Sequence, residues 1–252
     1  MIKASEIVFV HPTDHLETLR RCGGYYQCPK ESDGKRKGPL IGYAGKYTAG
    51  DGSQKQWVGD VYANFAKAEE FPHVLDYFAR QMKEELNLVL PNISVFCGAP
   101  IGGFGFAQAL GLVFDRRVVK AEKKVIALGT ADSREKSVLV FGRHGIETGD
   151  VIAVVEDVCN NFSTTDQLIQ LIEGAGGQVS AIVCLLNRSL IIKDRHPIDG
   201  YNWRPVISLI RMSIPEYRQD DPAVVGDIAT GNIVWKPKDE WTKLMTTMEA
   251  NS

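Results

Sequence analysis

No stretch of this 252-residue chain is apolar for the roughly 18 or more residues that a membrane helix needs. The first residues, MIKASEIVFVHPTD, lack the apolar core of a secretory leader, so the expectation is a soluble, cytoplasmic protein. Charge of one sign is not in excess: 29 Lys and Arg face 31 Asp and Glu, a formal net charge of −2. That balance gives no reason to expect nucleic acid or an anionic membrane as the main partner. Cysteines are few and odd in number, five in all, which argues against a disulfide framework. Cys97, Cys159 and Cys184 fall in or beside apolar strands and are expected to pack as small hydrophobes. Repeats and low-complexity tracts are absent too.

What is present is an alternation of strand and helix patterns. Residues 1–70 are turn-rich and read as a small irregular or β-rich N-terminal lobe, a hood. Residues 71–212 alternate: a helix over 72–90 with Leu75, Phe78, Met82 and Leu86 on one face, then strands at 93–98, 116–121, 151–155, 179–186 and 205–210. A short helix over 105–112 intervenes, and apolar segments around TADSREK read as a hairpin flap. The pattern predicts an α/β core with a mostly parallel, twisted sheet flanked by helices. Residues 213–252 read as a C-terminal extension.

The most informative segment is VIAVVEDVCNNFSTT, residues 151–165. Its apolar run reads as a buried parallel strand that ends on two acids, Glu156 and Asp157. A polar loop then leads into a helix whose N-terminus offers unpaired amides and the positive end of the macrodipole. Ser163 and Thr164 add hydroxyl donors. Acids beside an anion-binding turn suit a phosphorylated sugar, the carboxylates accepting from ribose hydroxyls while the turn holds the 5′-phosphate. Acid-tipped strands with Ser/Thr caps also occur with no ligand at all, and from the residues alone both readings stand.

The segment resembles the phosphoribosyl pyrophosphate (PRPP) motif of the type I phosphoribosyltransferases, most of all the orotate phosphoribosyltransferases. Glu156-Asp157-Val158 matches the family's acid pair, and Ser163-Thr164 matches the hydroxylic end of its phosphate loop. By this resemblance Asn160, Asn161, Phe162, Ser163 and Thr164 form the 5′-phosphate loop. Asn161 is the residue expected to adopt the left-handed conformation, and Phe162, where the family has small residues and glycine, is expected to bring bulk into the cradle. Ala99, Pro100, Ile101 and Gly102 correspond to the loop that binds pyrophosphate through backbone amides, where small residues let the chain approach an anion. Simple close packing of strand on helix explains the same glycines, and a dinucleotide fingerprint lacks its third small residue in register. Lys120 and Lys124 match basic positions that neutralise pyrophosphate, with Ala121 where the family has a lysine. Arg188, at the end of the strand AIVCLLN over 181–187, matches an arginine that contacts a carboxylate-bearing base, and Asn187 replaces an aspartate. Tyr62 and Asn64 match residues that cover the base.

The resemblance implies transfer of ribose 5-phosphate from PRPP to a nucleobase nitrogen, in pyrimidine nucleotide synthesis if the base is orotate. It implies Mg²⁺ with PRPP, Asp157 touching the ion only indirectly, and a homodimer binding small molecules. The implied roles are ribose orientation for Glu156 and Asp157 and leaving-group neutralisation for Lys120 and Lys124. A non-catalytic PRPP or nucleotide sensor on the same fold is the alternative, which Ala121 and Phe162 favour. Separately, His11, His15, Cys22 and Cys28 offer four nitrogen and sulfur ligands for tetrahedral Zn²⁺. The same histidines also fit an ordinary capped helix.

Overall fold

The computed structural model describes residues 14–89, 92–127, 136–189, 194–198 and 202–251. In chain order its elements are α1 (His15–Arg21), β1 (Tyr25–Gln27), β2 (Leu40–Thr48), β3 (Gln54–Gly59), β4 (Val61–Ala63), α2 (Ala66–Glu69) and α3 (Pro72–Val89). There follow β5 (Val95–Gly98), α4 (Gly103–Phe114), β6 (Arg117–Lys120), β7 (Glu122–Ala127), β8 (Lys136–Val140), β9 (Val151–Cys159), α5 (Ser163–Gly174) and β10 (Gln178–Asn187). The chain ends with β11 (Arg195–Pro197), β12 (Trp203–Arg211), α6 (Val225–Ala229), β13 (Ile233–Val234) and α7 (Trp241–Glu249). They divide into two compact units, one of residues 16–68 with 214 onward, the other of 69–213 with the start of α1.

The larger unit is built on a six-stranded sheet in the order β11-β12-β10-β9-β5-β6. Every pairing from β12 to β6 is parallel, and only the edge strand β11 runs antiparallel. Near-continuous apolar strands are what a parallel sheet covered on both faces requires. Ile152, Ala153, Val154 and Val155 of β9, and Ala181, Ile182, Val183 and Cys184 of β10, are all fully buried. Helix α3 buries Val74, Phe78, Met82 and Leu86 and packs against α4; Val74, not Leu75, completes its apolar stripe. The β7–β8 hairpin is antiparallel, as the two apolar segments around TADSREK predict, and residues 128–135 between its strands lie outside the described residues.

The smaller unit corrects the reading of the C-terminal segment as an extension of its own. Strand β13 adds in parallel to β2, Ile233 beside Leu40 and Val234 beside Ile41. Trp241 and Leu244 of α7 enter the cluster formed by Tyr26, Cys28, Ile41 and Tyr43, and the Trp241 indole N–H donates to the Gly23 carbonyl at 2.9 Å. Arg36 ties the same segments together, with Nε 2.5 Å from Asp60 and Nη1 2.9 Å from Asp227. Desolvation opposes ionisation of Asp60, but hydrogen bonds and charge from Arg36 and Lys30 prevail and hold its carboxyl below the usual range. No helix among the described residues is long and apolar enough to cross a membrane.

Candidate active site

Strand order locates the crevice. From β5 the chain crosses outward through α4 to β6, whereas from β9 it crosses through α5 to β10 and on to β12, in the opposite direction. The order therefore reverses between β5 and β9. In open parallel sheets, ligands bind outside the carboxyl ends of the strands at such a point. The segments there are 99–102, after β5, and 156–163, at the end of β9.

Register aligns the chemistry along this edge. Gly98 pairs with Lys120 on one side and Val155 on the other, so the two acids that follow Val155 extend past the 99–102 turn. Alternation sends them to opposite faces. Glu156 shares the face of Ile152 and Val154, whose cluster includes residues of α5 and β8. Asp157 takes the other face, where its carboxyl lies against Gly102. Desolvation first, and then the neighbouring Asp157 charge, push the Glu156 carboxyl up to about 8, while Lys123 pulls it partly back. At neutral pH Glu156 therefore holds a proton for most of the time.

The glycines of the turn serve space. Gly102 has an ordinary φ of −63°, but a side chain there would strike the Asp157 carboxyl. A Cβ at Gly103 would run into the Val155 carbonyl, and one at Gly98 would stand 3.0 Å from the Gly103 carbonyl. Close packing thus accounts for all three glycines, against backbone and helix at 98 and 103 and against the Asp157 carboxyl at 102. Ala99 is anchored by its N–H to the Val155 carbonyl at 2.9 Å, Pro100 is followed by a cis peptide bond, and Ile101 is 80% exposed.

The turn after β9 differs from expectation in two respects. Phe162, not Asn161, takes the left-handed conformation, with φ 63°. Its ring does not occupy the cradle; it is 4% exposed and belongs to the hydrophobic cluster of β9, β10 and α5. Asn161 uses its Oδ1 to accept from the Ser163 N–H at 3.1 Å, an Asx turn. The next first-turn amides, Thr164 and Thr165, lack intrahelical carbonyls by geometry. Ser163 is exposed, Thr164 and Asn160 are half-buried, and Thr165 is buried.

The basic residues are also placed. Lys120 ends β6 with its Nζ 5.2 Å from the centre of the Phe104 ring, a cation–π contact at the start of α4. Ala121 is fully buried in the core, so its small side chain is a packing requirement. Lys124 pairs with exposed Val138, whereas Lys123 pairs with buried Leu139. Paired residues share a face, so Lys123, itself solvent-exposed, is on the side of Leu139, in keeping with its electrostatic effect on Glu156. Lys123 was not among the residues singled out from the sequence; its alternation with Ala121 is the signal from which it could have been found. Arg188 follows β10 with its backbone N–H donating to the Cys159 carbonyl at 2.9 Å, next to the turn after β9. Asn187 is fully buried and accepts from the Ser189 hydroxyl at 2.8 Å.

Tyr62 and Asn64 lie in the smaller unit. Tyr62 packs against Trp241 with the rings tilted and their centres 5.9 Å apart, and the Asn64 N–H donates to the Gly24 carbonyl at 2.8 Å. Among the described residues no three His, Cys, Asp or Glu side chains gather to hold a metal ion, so His15, Cys22 and Cys28 are not brought together there. His11 lies outside those residues. His15 contacts Tyr77 Oη at 3.3 Å, Cys28 donates to the Gly38 carbonyl, and burial pushes the Cys22 thiol up to about 11. All five cysteines are buried and free, and burial raises Cys97 to about 12.

No family model matches the chain. It is 26% identical over 161 residues to an adenine phosphoribosyltransferase of Clostridium kluyveri, covering 62% of this chain and 88% of that protein. It is 28% identical over 163 residues to an orotate phosphoribosyltransferase of Caldanaerobacter subterraneus subsp. tengcongensis, covering 64% of this chain and 75% of that one. Among solved structures, UMP synthase of Leishmania donovani superposes with a TM-score of 0.52 at 12% identity, over 96% of this chain and 42% of that chain. At that identity the likeness is one of fold. In sequence and in fold, this chain resembles the type I phosphoribosyltransferases, with adenine and orotate enzymes both among its relatives.

Proposed function

We propose that this protein transfers ribose 5-phosphate from PRPP to a ring nitrogen of a nucleobase, releasing pyrophosphate. The observation that supports it most is the meeting of three features at the strand-order reversal: the Gly102 turn, the acid pair of β9 and the amide-rich start of α5. The sugar phosphate would lie across the turn at 160–164, its ester oxygens accepting from first-turn amides and from Ser163 and Thr164. Pyrophosphate would lie along 99–102, with Lys120 held near by Phe104 and Lys123 above.

Reaction at the anomeric carbon develops positive charge on the sugar, so the chain's contribution is positioning and electrostatic. Asp157 orients the ribose hydroxyls and faces that charge. Glu156, protonated in the free protein, donates a hydrogen bond or releases its proton as cationic partners arrive. The β7–β8 hairpin would cover the diphosphate and exclude water. Mg²⁺ suits the site as an ion carried on the diphosphate: hard carboxylate oxygens are near, and no protein cage is needed for an ion that keeps most of its water. When bound it would neutralise diphosphate charge.

For the acceptor, Arg188 supports a base bearing a carboxylate, orotate or a relative, and adenine is the other base named by the relatives. A homodimer is part of the same proposal. A PRPP-binding regulatory protein is the second reading, and the burial of Ala121 supports it because that position offers no charge to the leaving group. The test is incubation with PRPP, Mg²⁺ and each of orotate, adenine and other bases, following pyrophosphate and nucleotide together. Release that depends on one base supports the enzyme. PRPP binding without release supports the regulator, and absence of both overturns the assignment.

A further inference from the structure

Phe162 holds a backbone geometry, φ 63° and ψ 10°, that a bulky L-residue adopts only where its surroundings impose it. The surroundings are specific. The ring is packed in the core and also lies against the imidazole of His196, ring centres 5.3 Å apart. His196 comes from the edge strand β11 and is itself 8% exposed. Its Nε2 stands 2.8 Å from Asp166 Oδ1, and the Asp166 N–H in turn donates to the Phe162 carbonyl at 2.8 Å. A carboxylate only accepts, so Nε2 carries the proton in this bond. The three residues close a ring of contacts around the turn: Phe162 to His196, His196 to Asp166, Asp166 back to Phe162.

We infer that His196 is a positioning residue for the anion-binding turn. Its ring pins Phe162, Phe162 fixes the left-handed step into α5, and that step aims the Thr164 and Thr165 amides at one point. A glycine at 162 would take the same geometry without a brace; the phenylalanine here makes the brace necessary. Asp166 sets the imidazole's rotation and so acts one step further out. The inference rests on the reading of this turn as the phosphate subsite.

The test is calorimetric titration of ribose 5-phosphate into the wild-type protein, His196→Ala and His196→Phe. His196→Ala removes the ring and is expected to bind about tenfold more weakly or worse, the loss of one or two well-aimed charged hydrogen bonds. His196→Phe keeps a ring on Phe162 while losing the Asp166 bond, and is expected to stay within about threefold of wild type. Circular dichroism checks that each variant is folded. If His196→Ala is not, His196→Gln takes its place and is expected to show the same loss. Unchanged affinity in His196→Ala, or equal loss in the alanine and phenylalanine variants, overturns the inference. A wild-type protein that binds no ribose 5-phosphate overturns instead the phosphate reading on which it rests.

Discussion

The Asp157 carboxyl lies so close to the backbone of Gly102 that a Cβ built on the glycine would stand 2.6 Å from Oδ1. The strand that carries the acid and the turn that carries the glycine are joined in register by the pairing of Gly98 with Val155. Acid and turn are thus parts of one rigid edge, and this can be tested directly.

Gly102→Ala is expected to lower turnover about 100-fold, because the added methyl must displace either the carboxyl or the turn. Thermal stability should fall only modestly, since Gly102 is half-buried and its φ suits alanine. Pyrophosphate release and a thermal melt on the same sample check both. Wild-type turnover in the variant would show that the apposition has no catalytic importance.

Asp157→Asn keeps the shape and removes the charge. Turnover is expected to drop by about two orders of magnitude, with little change in melting temperature. Equal loss of activity and stability would instead mark Asp157 as a structural acid.

Glu156 gives a pH signature with a definite sign. Its carboxyl is raised from 4.5 to about 8 in the folded protein, so between those values the native state binds the extra proton. Stability contributed by this group is therefore full below pH 4.5 and declines until pH reaches about 8. Glu156→Gln should remove that decline, by a few kcal/mol at most, and raise the melting temperature on the alkaline side alone. Parallel melting curves for the two proteins across this range would refute the shifted carboxyl.

Lys123 and Lys124 can be separated. Lys123→Ala is expected to raise the apparent pKa of the Glu156-dependent step and to weaken PRPP, whereas Lys124→Ala, beside exposed Val138, should be close to silent. The pH profile of pyrophosphate release distinguishes them. A larger effect at Lys124 would reverse the face assignment.

Trp241→Ala tests the smaller unit. Loss of a buried indole and of its bond to Gly23 is expected to cost about 3–5 kcal/mol. Denaturant unfolding measures it, and a cost below about 1 kcal/mol would mean that α7 is a loose appendage after all.

The sheet was legible in the sequence because parallel strands buried on both faces are written as apolar runs, and β9 and β10 carry such runs. The acid pair was legible for a related reason, since charge directly after an apolar run marks the carboxyl end of a parallel strand, although β9 continues through both acids to Cys159. Phe162 was not. The direction of its ring depends on His196, far along the chain and on an edge strand with no apolar run of its own. Lys123 was legible in principle, since it alternates with Ala121 just before β7, but the family's pattern fits its neighbour Lys124. The C-terminal segment was misread because β13 is only Ile233–Val234, too short for periodicity, and its partner β2 lies near the other end of the chain.

That last pairing has a consequence for biosynthesis. Leu40 gains its neighbour Ile233 only after the whole of the larger sheet has been translated. The sheet unit can therefore assemble while the hood still waits, with Leu40 and Ile41 uncovered on a nascent chain. The hood is expected to be where a stalled or truncated product aggregates or attracts chaperones, although Leu40 and Ile41 are made before any strand of the larger sheet.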